Sequence, residues 1–188
     1  AFGLVAVTDT AKATDVNAAT KKVKKLSFKK KGYVISVPGH WMNAKTRLKF
    51  SPKSAKTYKL KYKTSNKKIA TISKNGIIRA KKKGTVTITA IAKNNKKAKA
   101  TTKVTVGKVV KTLKFKEGTK KTVTAGKKFT LHPTYSPKKA STKAVTFKSS
   151  NKKVATVTSK GKVTAKKAGK VTITATCKDA KGKKAKFT

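Results

Sequence analysis

Along most of this chain an apolar residue occupies every second position, with threonine, serine or lysine between. Val86, Ile88 and Ala90 alternate with Thr85, Thr87 and Thr89, and Val171, Ile173, Ala175 and Cys177 alternate with Thr172, Thr174 and Thr176. A period of two sends the apolar set to one face of a strand and the polar set to the other. Asn75-Gly76 and Lys160-Gly161 are turn residues of the kind that join hairpin strands, and Lys83-Gly84 and Ala168-Gly169 mark the next turns. No stretch carries a competing helical period. Short strands separated by turns every ~8–12 residues predict an all-β fold, a sandwich with Greek-key connections.

The pattern occurs twice. Ser65-Asn66-Lys67-Lys68-Ile69-Ala70-Thr71-Ile72 returns 85 residues later as Ser150-Asn151-Lys152-Lys153-Val154-Ala155-Thr156-Val157. Phe50-Ser51-Pro52 returns as Tyr135-Ser136-Pro137, and Gly84-Thr85-Val86-Thr87-Ile88-Thr89-Ala90 as Gly169-Lys170-Val171-Thr172-Ile173-Thr174-Ala175. Copies of about 80–85 residues are too long for a solenoid turn and suit a small sandwich domain. The repeat predicts an N-terminal segment over residues 1–23, a first domain over 24–106 and a second over 111–188. The link around Val106–Lys111 is short enough to permit only limited bending. Two differences stand out. The first copy carries extra residues near Pro38–Asn43, where the second reads Ala125-Gly126-Lys127. The second ends Lys186-Phe187-Thr188 where the first reads Lys103-Val104-Thr105-Val106, which leaves its last strand about one residue short unless the chain continues.

In each copy an early Leu-x-Phe strand and a Gly-containing turn lead to the aromatic-Ser-Pro segment and then to Ser-Asn-x-x-[Ile/Val]-Ala-Thr-[Ile/Val]. An Ala-Lys-Lys-x-Gly turn and the Thr-rich strand complete the order. This succession resembles the bacterial immunoglobulin-like domain, group 2, in tandem, over roughly residues 24–106 and 111–188. The resemblance implies two Ig-like β-sandwich domains, an extracellular or bacterial cell-surface location, and use as a spacer or binding module. It carries no catalytic residue, because the matched positions are turn glycines, core β-branched residues and the Ser-Asn turn.

The residues themselves point away from an enzyme and from bound cofactors or metals. The only acids are Asp9, Asp15, Glu117 and Asp179, too scattered for paired-carboxylate chemistry or a calcium cage. His40 and His132 sit at non-equivalent places in different copies, and one Cys with two distant His makes no zinc site. Cys177 shares parity with the inward-facing set, so a buried thiol is the simpler reading beside a reactive one. No apolar run is long enough to span a membrane.

Charge then changes the picture. Lys and Arg number 52 against four acids, a formal net charge of +48, and only Arg47 and Arg79 are arginine. A solvated, soluble surface needs a net charge of only about 2–8 in a small domain, so the excess points to a polyanionic partner. Lys is a point charge suited to diffuse attraction, whereas base readout relies on Arg forks and stacking aromatics. The expected partners are therefore polyanionic surface polymers or acidic proteins, without sequence-specific nucleic-acid recognition. Lys67, Lys68, Lys152 and Lys153 are candidate contacts on the repeated turn. His40, Trp41 and Met42 are further candidates, because Trp is a frequent binding anchor. Trp41 folded back as a core plug is the competing reading.

The apolar start of the chain has two readings. Ala1–Val7 followed by Ala11-Lys12-Ala13 has the form of a secretory signal remnant with its cleavage site. Alternatively Phe2, Leu4, Val5 and Val7 form an assembly strand that adds to a neighbour's sheet, making the protein a subunit of an extracellular filament or coat. Both readings point to export.

Overall fold

The computed structural model describes residues 22–57 and 59–188. The expected assembly strand at Phe2, Leu4, Val5 and Val7 lies outside the described residues. In the first copy the alternating segments form β1 (Lys25–Phe28), β2 (Gly32–Ile35), β3 (Trp41–Asn43), β4 (Leu48–Ser51), β5 (Leu60–Thr64), β6 (Ala70–Ile72), β7 (Ile77–Ala80), β8 (Gly84–Ala92) and β9 (Asn95–Val106). One sheet has the order β2-β9-β8-β5, a second β3-β7-β6, and β1 pairs with β4. β2 runs parallel to β9, and β5 and β9 flank β8 in antiparallel register. The second copy repeats the plan with β10 (Thr112–Phe115), β11 (Lys128–Thr130), β12 (Pro133–Ser136), β13 (Val145–Ser149), β14 (Ala155–Val157), β15 (Lys162–Ala165), β16 (Ile173–Cys177) and β17 (Lys184–Phe187). Its sheets are β13-β16-β17, β11-β15-β14 and β10-β12. Non-consecutive neighbours in facing sheets are the Greek-key arrangement of Ig-like sandwiches.

Alternation puts the core where the sequence places it. Val86 and Ile88 of β8 are buried with Val104, Val106, Ile78, Ala80 and Met42, and Ala90 joins a neighbouring cluster with Leu26, Leu48 and Leu60. In the second core Phe129 takes the place of Met42, and Phe115, Phe147 and Phe187 stand where the first copy has Phe28, Tyr62 and Thr102. Phe115 packs edge-on against Phe187 at 6.1 Å between ring centres and lies roughly parallel to Phe147 at 6.3 Å. Gly84 and Gly169 begin the same turn with φ of +148° and +142°. A Cβ at Gly84 would sit 2.7 Å from the movable tip of Ile69, so it is the positive φ that demands glycine.

Strand register relocates both differences between the copies. Met42 pairs with Ile78 as Phe129 pairs with Val163, and Leu48 pairs with Phe28 as Pro133 pairs with Phe115. Gly39 and Gly126 open the same bulge: each N–H donates to the carbonyl of Ala80 or Ala165, whose own N–H donates to His40 or Lys127. The extra residues of the first copy therefore fall after β3, in the 3-10 turn Lys45–Arg47, and not at Pro38–Asn43. There Arg47 wraps back, its Nη1 donating to the Asn43 carbonyl at 2.8 Å and its guanidinium lying 5.6 Å from the Tyr33 ring centre. At the other end, Phe187 lies opposite Ile173 as Thr102 lies opposite Ile88. Lys186 and Phe187 therefore take the register of Thr101 and Thr102, earlier in the strand than the expected match to Lys103–Val106. Among the described residues, Gly169 and Val171 have no ladder partner where Gly84 and Val86 have Val106 and Val104. An open groove of about 800 Å³ remains, lined by Val154, Val163, Val171 and Phe187 among others.

The link is bonded on both sides. Asp179 is 1% exposed, and its Oδ2 accepts the Val110 N–H at 2.7 Å. Its Oδ1 accepts the N–H groups of Lys181 and Gly182. The buried Thr105 hydroxyl accepts the Ala180 N–H at 2.9 Å and lies 2.9 Å from Thr85 Oγ1, which meets Thr142 Oγ1 at 2.7 Å. A side chain at Gly32 would collide with the Ala180 carbonyl.

Candidate polyanion-contact surface

The repeated Ser-Asn-Lys-Lys segment is held by the same hydrogen bonds in both copies. Asn66 Oδ1 accepts the Lys68 N–H at 2.9 Å, and its carbonyl accepts the N–H groups of Ile69 and Ala70. Ser65 bonds Thr87 on β8 through both its backbone N–H and its hydroxyl. The second copy reproduces every bond: Asn151 Oδ1 to the Lys153 N–H at 3.0 Å, and Ser150 to Thr172. An Asn that satisfies its own turn backbone holds the following residues in one conformation. Lys67, Lys68, Lys152 and Lys153 are exposed on these turns.

Other lysines join them. The N–H groups of Lys81 and Lys82 both donate to the Ile69 carbonyl, and those of Lys166 and Lys167 to the Val154 carbonyl. The Lys-rich loop after β7 or β15 therefore lies beside the Ser-Asn turn in both copies, concentrating cations at one place per sandwich. Sequence alone marks this loop as a turn but does not pair it with the Ser-Asn segment, because the repeat carries no signal of which loops meet.

Among the described residues almost nothing neutralises these charges. Of the lysines whose side chains the structure describes, all are exposed except the half-buried Lys103. Among the described residues the single close contact between a basic and an acidic side chain is His132 Nδ1 to Glu117 Oε1 at 2.5 Å. Burial works to raise the Glu117 carboxyl, but hydrogen bonds from the His132 backbone and ring outweigh it and hold it below the usual carboxylate range. The other described acid, Asp179, is occupied by backbone N–H groups.

The His40-Trp41-Met42 segment splits by parity. Met42 is 7% exposed and belongs to the first core, so its expected role at a contact surface is corrected: β3 turns it inward. Trp41 is 64% exposed and is no plug. His40 is exposed on the bulge beside it. Cys177 is fully buried with Sγ 3.6 Å from the Thr142 carbonyl, and burial pushes its thiol up, away from the reactive thiolate. Among the described residues no group of three or more His, Cys, Asp or Glu side chains is placed to hold a metal. None of the described helices is long and apolar enough to cross a membrane.

The sequence signature described as bacterial Ig-like domain (group 2) matches residues 43–102 and 109–187. No curated protein matches the chain. Among solved structures, the S-layer protein rSbsC(31-844) is similar at 17% identity and a TM-score of 0.37, over 88% of this chain and 27% of that one. A C-terminal 282-residue fragment of intimin, solved with the intimin-binding domain of its translocated receptor, is 16% identical with a TM-score of 0.34, over 68% of this chain and 49% of that one. Mouse cadherin-23 EC22-24 is 14% identical with a TM-score of 0.33, over 89% of this chain and 63% of that one. The chain thus spans about a quarter of the S-layer protein's length.

Proposed function

The chain belongs to the bacterial Ig-like domain (group 2) family, and from that premise we propose that it is a non-enzymatic module of a bacterial surface or secreted protein, attached or spaced through diffuse lysine contact with polyanions. One observation carries this reading: the lysines stand on the outer faces and turns of two sandwiches, and no described acid compensates them. A field of this density attracts cell-wall or host anionic polymers and acidic proteins by counterion release rather than by shaped recognition. The scarcity of arginine, with Arg47 already engaged by Tyr33 and Asn43, argues against sequence-specific nucleic-acid readout. Titration with linear polyphosphate across a salt series tests the proposal. Affinity should fall by about 10³–10⁵ between 50 and 200 mM salt if some 6–10 phosphates are contacted. Weak binding that ignores salt would defeat it.

A second reading, an extracellular filament in which an apolar strand of one molecule adds to a sheet of its neighbour, is favoured by the apolar positions Phe2, Leu4, Val5 and Val7. Sedimentation of the chain with and without residues 1–13 at high salt tests whether Phe2–Val7 is that strand. An unchanged sedimentation coefficient removes this reading.

A further inference from the structure

Among the described residues Trp41 is the most exposed of the large apolar side chains, followed by Val37 at 44% and Val34 at 39%. All three lie on or between β2 and β3, the strands at one edge of each sheet of the first sandwich. Met42 and Ile78 face the core together, so the register fixes Trp41 and its partner Arg79 on the outer face. Arg79 in turn pairs with Thr71 on β6. Trp41, Arg79 and Thr71 therefore form one cross-strand row on the outside of the small sheet. Arg79 is exposed and makes no ion pair among the described residues.

The repeat provides an internal control. The inward pairs Met42–Ile78 and Ile72–Ile78 return as Phe129–Val163 and Val157–Val163, apolar in both copies. The outward row returns as Lys128–Thr164–Thr156. Both rows carry one cation, so the difference is one of shape rather than charge. The first copy gains an aromatic plane and a planar fork, placed side by side on a face that packing does not demand.

We propose that the Trp41–Arg79–Thr71 row binds pyranose units that carry their own carboxylate, as in polyuronate chains. The inference rests on the polyanion reading and narrows it for this one face. The exposed indole plane stacks against the C–H face of a sugar ring. The Arg79 guanidinium takes the carboxylate through two parallel N–H donors, a geometry that lysine lacks. Thr71 offers a hydroxyl to the ring hydroxyls. Directly opposed side chains on neighbouring strands stand about 5 Å apart at Cβ, so ring and acid must belong to the same sugar unit. Polymers whose charge lies between units fit this row less well. A run of stacked bases needs successive aromatics, and this face presents one.

Trp41 is the only Trp of the chain, so its fluorescence reports on this row directly. An oligogalacturonate hexamer, linear polyphosphate and single-stranded oligo-dT are titrated into the full chain at fixed salt. The hexamer should shift Trp41 emission and bind more tightly than polyphosphate of equal charge. Trp41→Ala, followed by calorimetry, should weaken hexamer binding about tenfold while leaving polyphosphate binding unchanged. Arg79→Lys keeps the charge and should weaken the hexamer severalfold. Both side chains are exposed, and an unchanged melting temperature verifies that the variants fold. Hexamer binding that leaves the emission unmoved and survives Trp41→Ala overturns the proposal. Tighter oligo-dT binding with a larger emission change overturns it in favour of nucleic acid. Failure of all three polymers to bind overturns the polyanion reading itself.

Discussion

The Tyr62 hydroxyl is buried and has no hydrogen-bond partner among the described residues. A buried unpaired hydroxyl costs stability, whereas the ring itself packs usefully into the core. The second copy places Phe147 at the equivalent position, opposite Ala175 as Tyr62 is opposite Ala90. Tyr62→Phe should therefore stabilise the chain by up to about 1 kcal/mol in thermal unfolding. A loss of similar size would show that the hydroxyl has a partner. Burial also raises the phenol from its ordinary 10.0 to about 12. A raised folded value means that the contribution of this group is fully present below pH 10.0 and is lost as pH rises through about 12. Tyr62→Phe should flatten that part of the alkaline stability profile. At the same scale, Met42→Ala should cost about 2–5 kcal/mol by opening the core. Trp41→Ala should stay within about 0.5 kcal/mol, because its side chain is solvent-facing.

Strand parity was legible from the sequence wherever alternation ran for several residues. Val86, Ile88 and Ala90 of β8 are buried, and Thr85, Thr87 and Thr89 between them are half-buried or exposed, as the parity requires. The segment before β3 was not legible, because a bulge inserts one residue and flips the parity of the strand beyond it. Pro38-Gly39-His40 reads as an insertion, yet Ala125-Gly126-Lys127 builds the same bulge without Pro or His. The true extra residues hide in Lys45–Arg47, where nothing in the local composition marks them. Which loops meet was equally silent, so the lysine cluster of each sandwich emerged only from the backbone bonds to Ile69 and Val154. Asp179 also carried no signal: a lone acid among lysines reads as surface, but it is the buried acceptor for three backbone N–H groups. Asp179→Ala leaves those donors without their carboxylate and should cost about 2–4 kcal/mol. Calorimetry measures the loss, and small-angle scattering should show a looser link. Unchanged stability would mean that water replaces the carboxylate freely.

For the molecule as a whole, a charge of +48 opposes its own compact state. Screening shortens the range of that repulsion from about 30 Å at 0.01 M salt to about 8 Å at 0.15 M. The melting temperature should accordingly climb as sodium chloride is raised over this interval, and climb further with a polyvalent anion such as sulfate. A flat response in differential scanning calorimetry would mean that the lysines are spaced widely enough to ignore one another. The bonded link has a mechanical consequence. Tension applied at the two ends reaches residues 107–111 only after the Val110–Asp179 and Thr105–Ala180 bonds have parted. Below that load the pair responds as a stiff strut, with its lysine-bearing turns at constant spacing, and releases no slack.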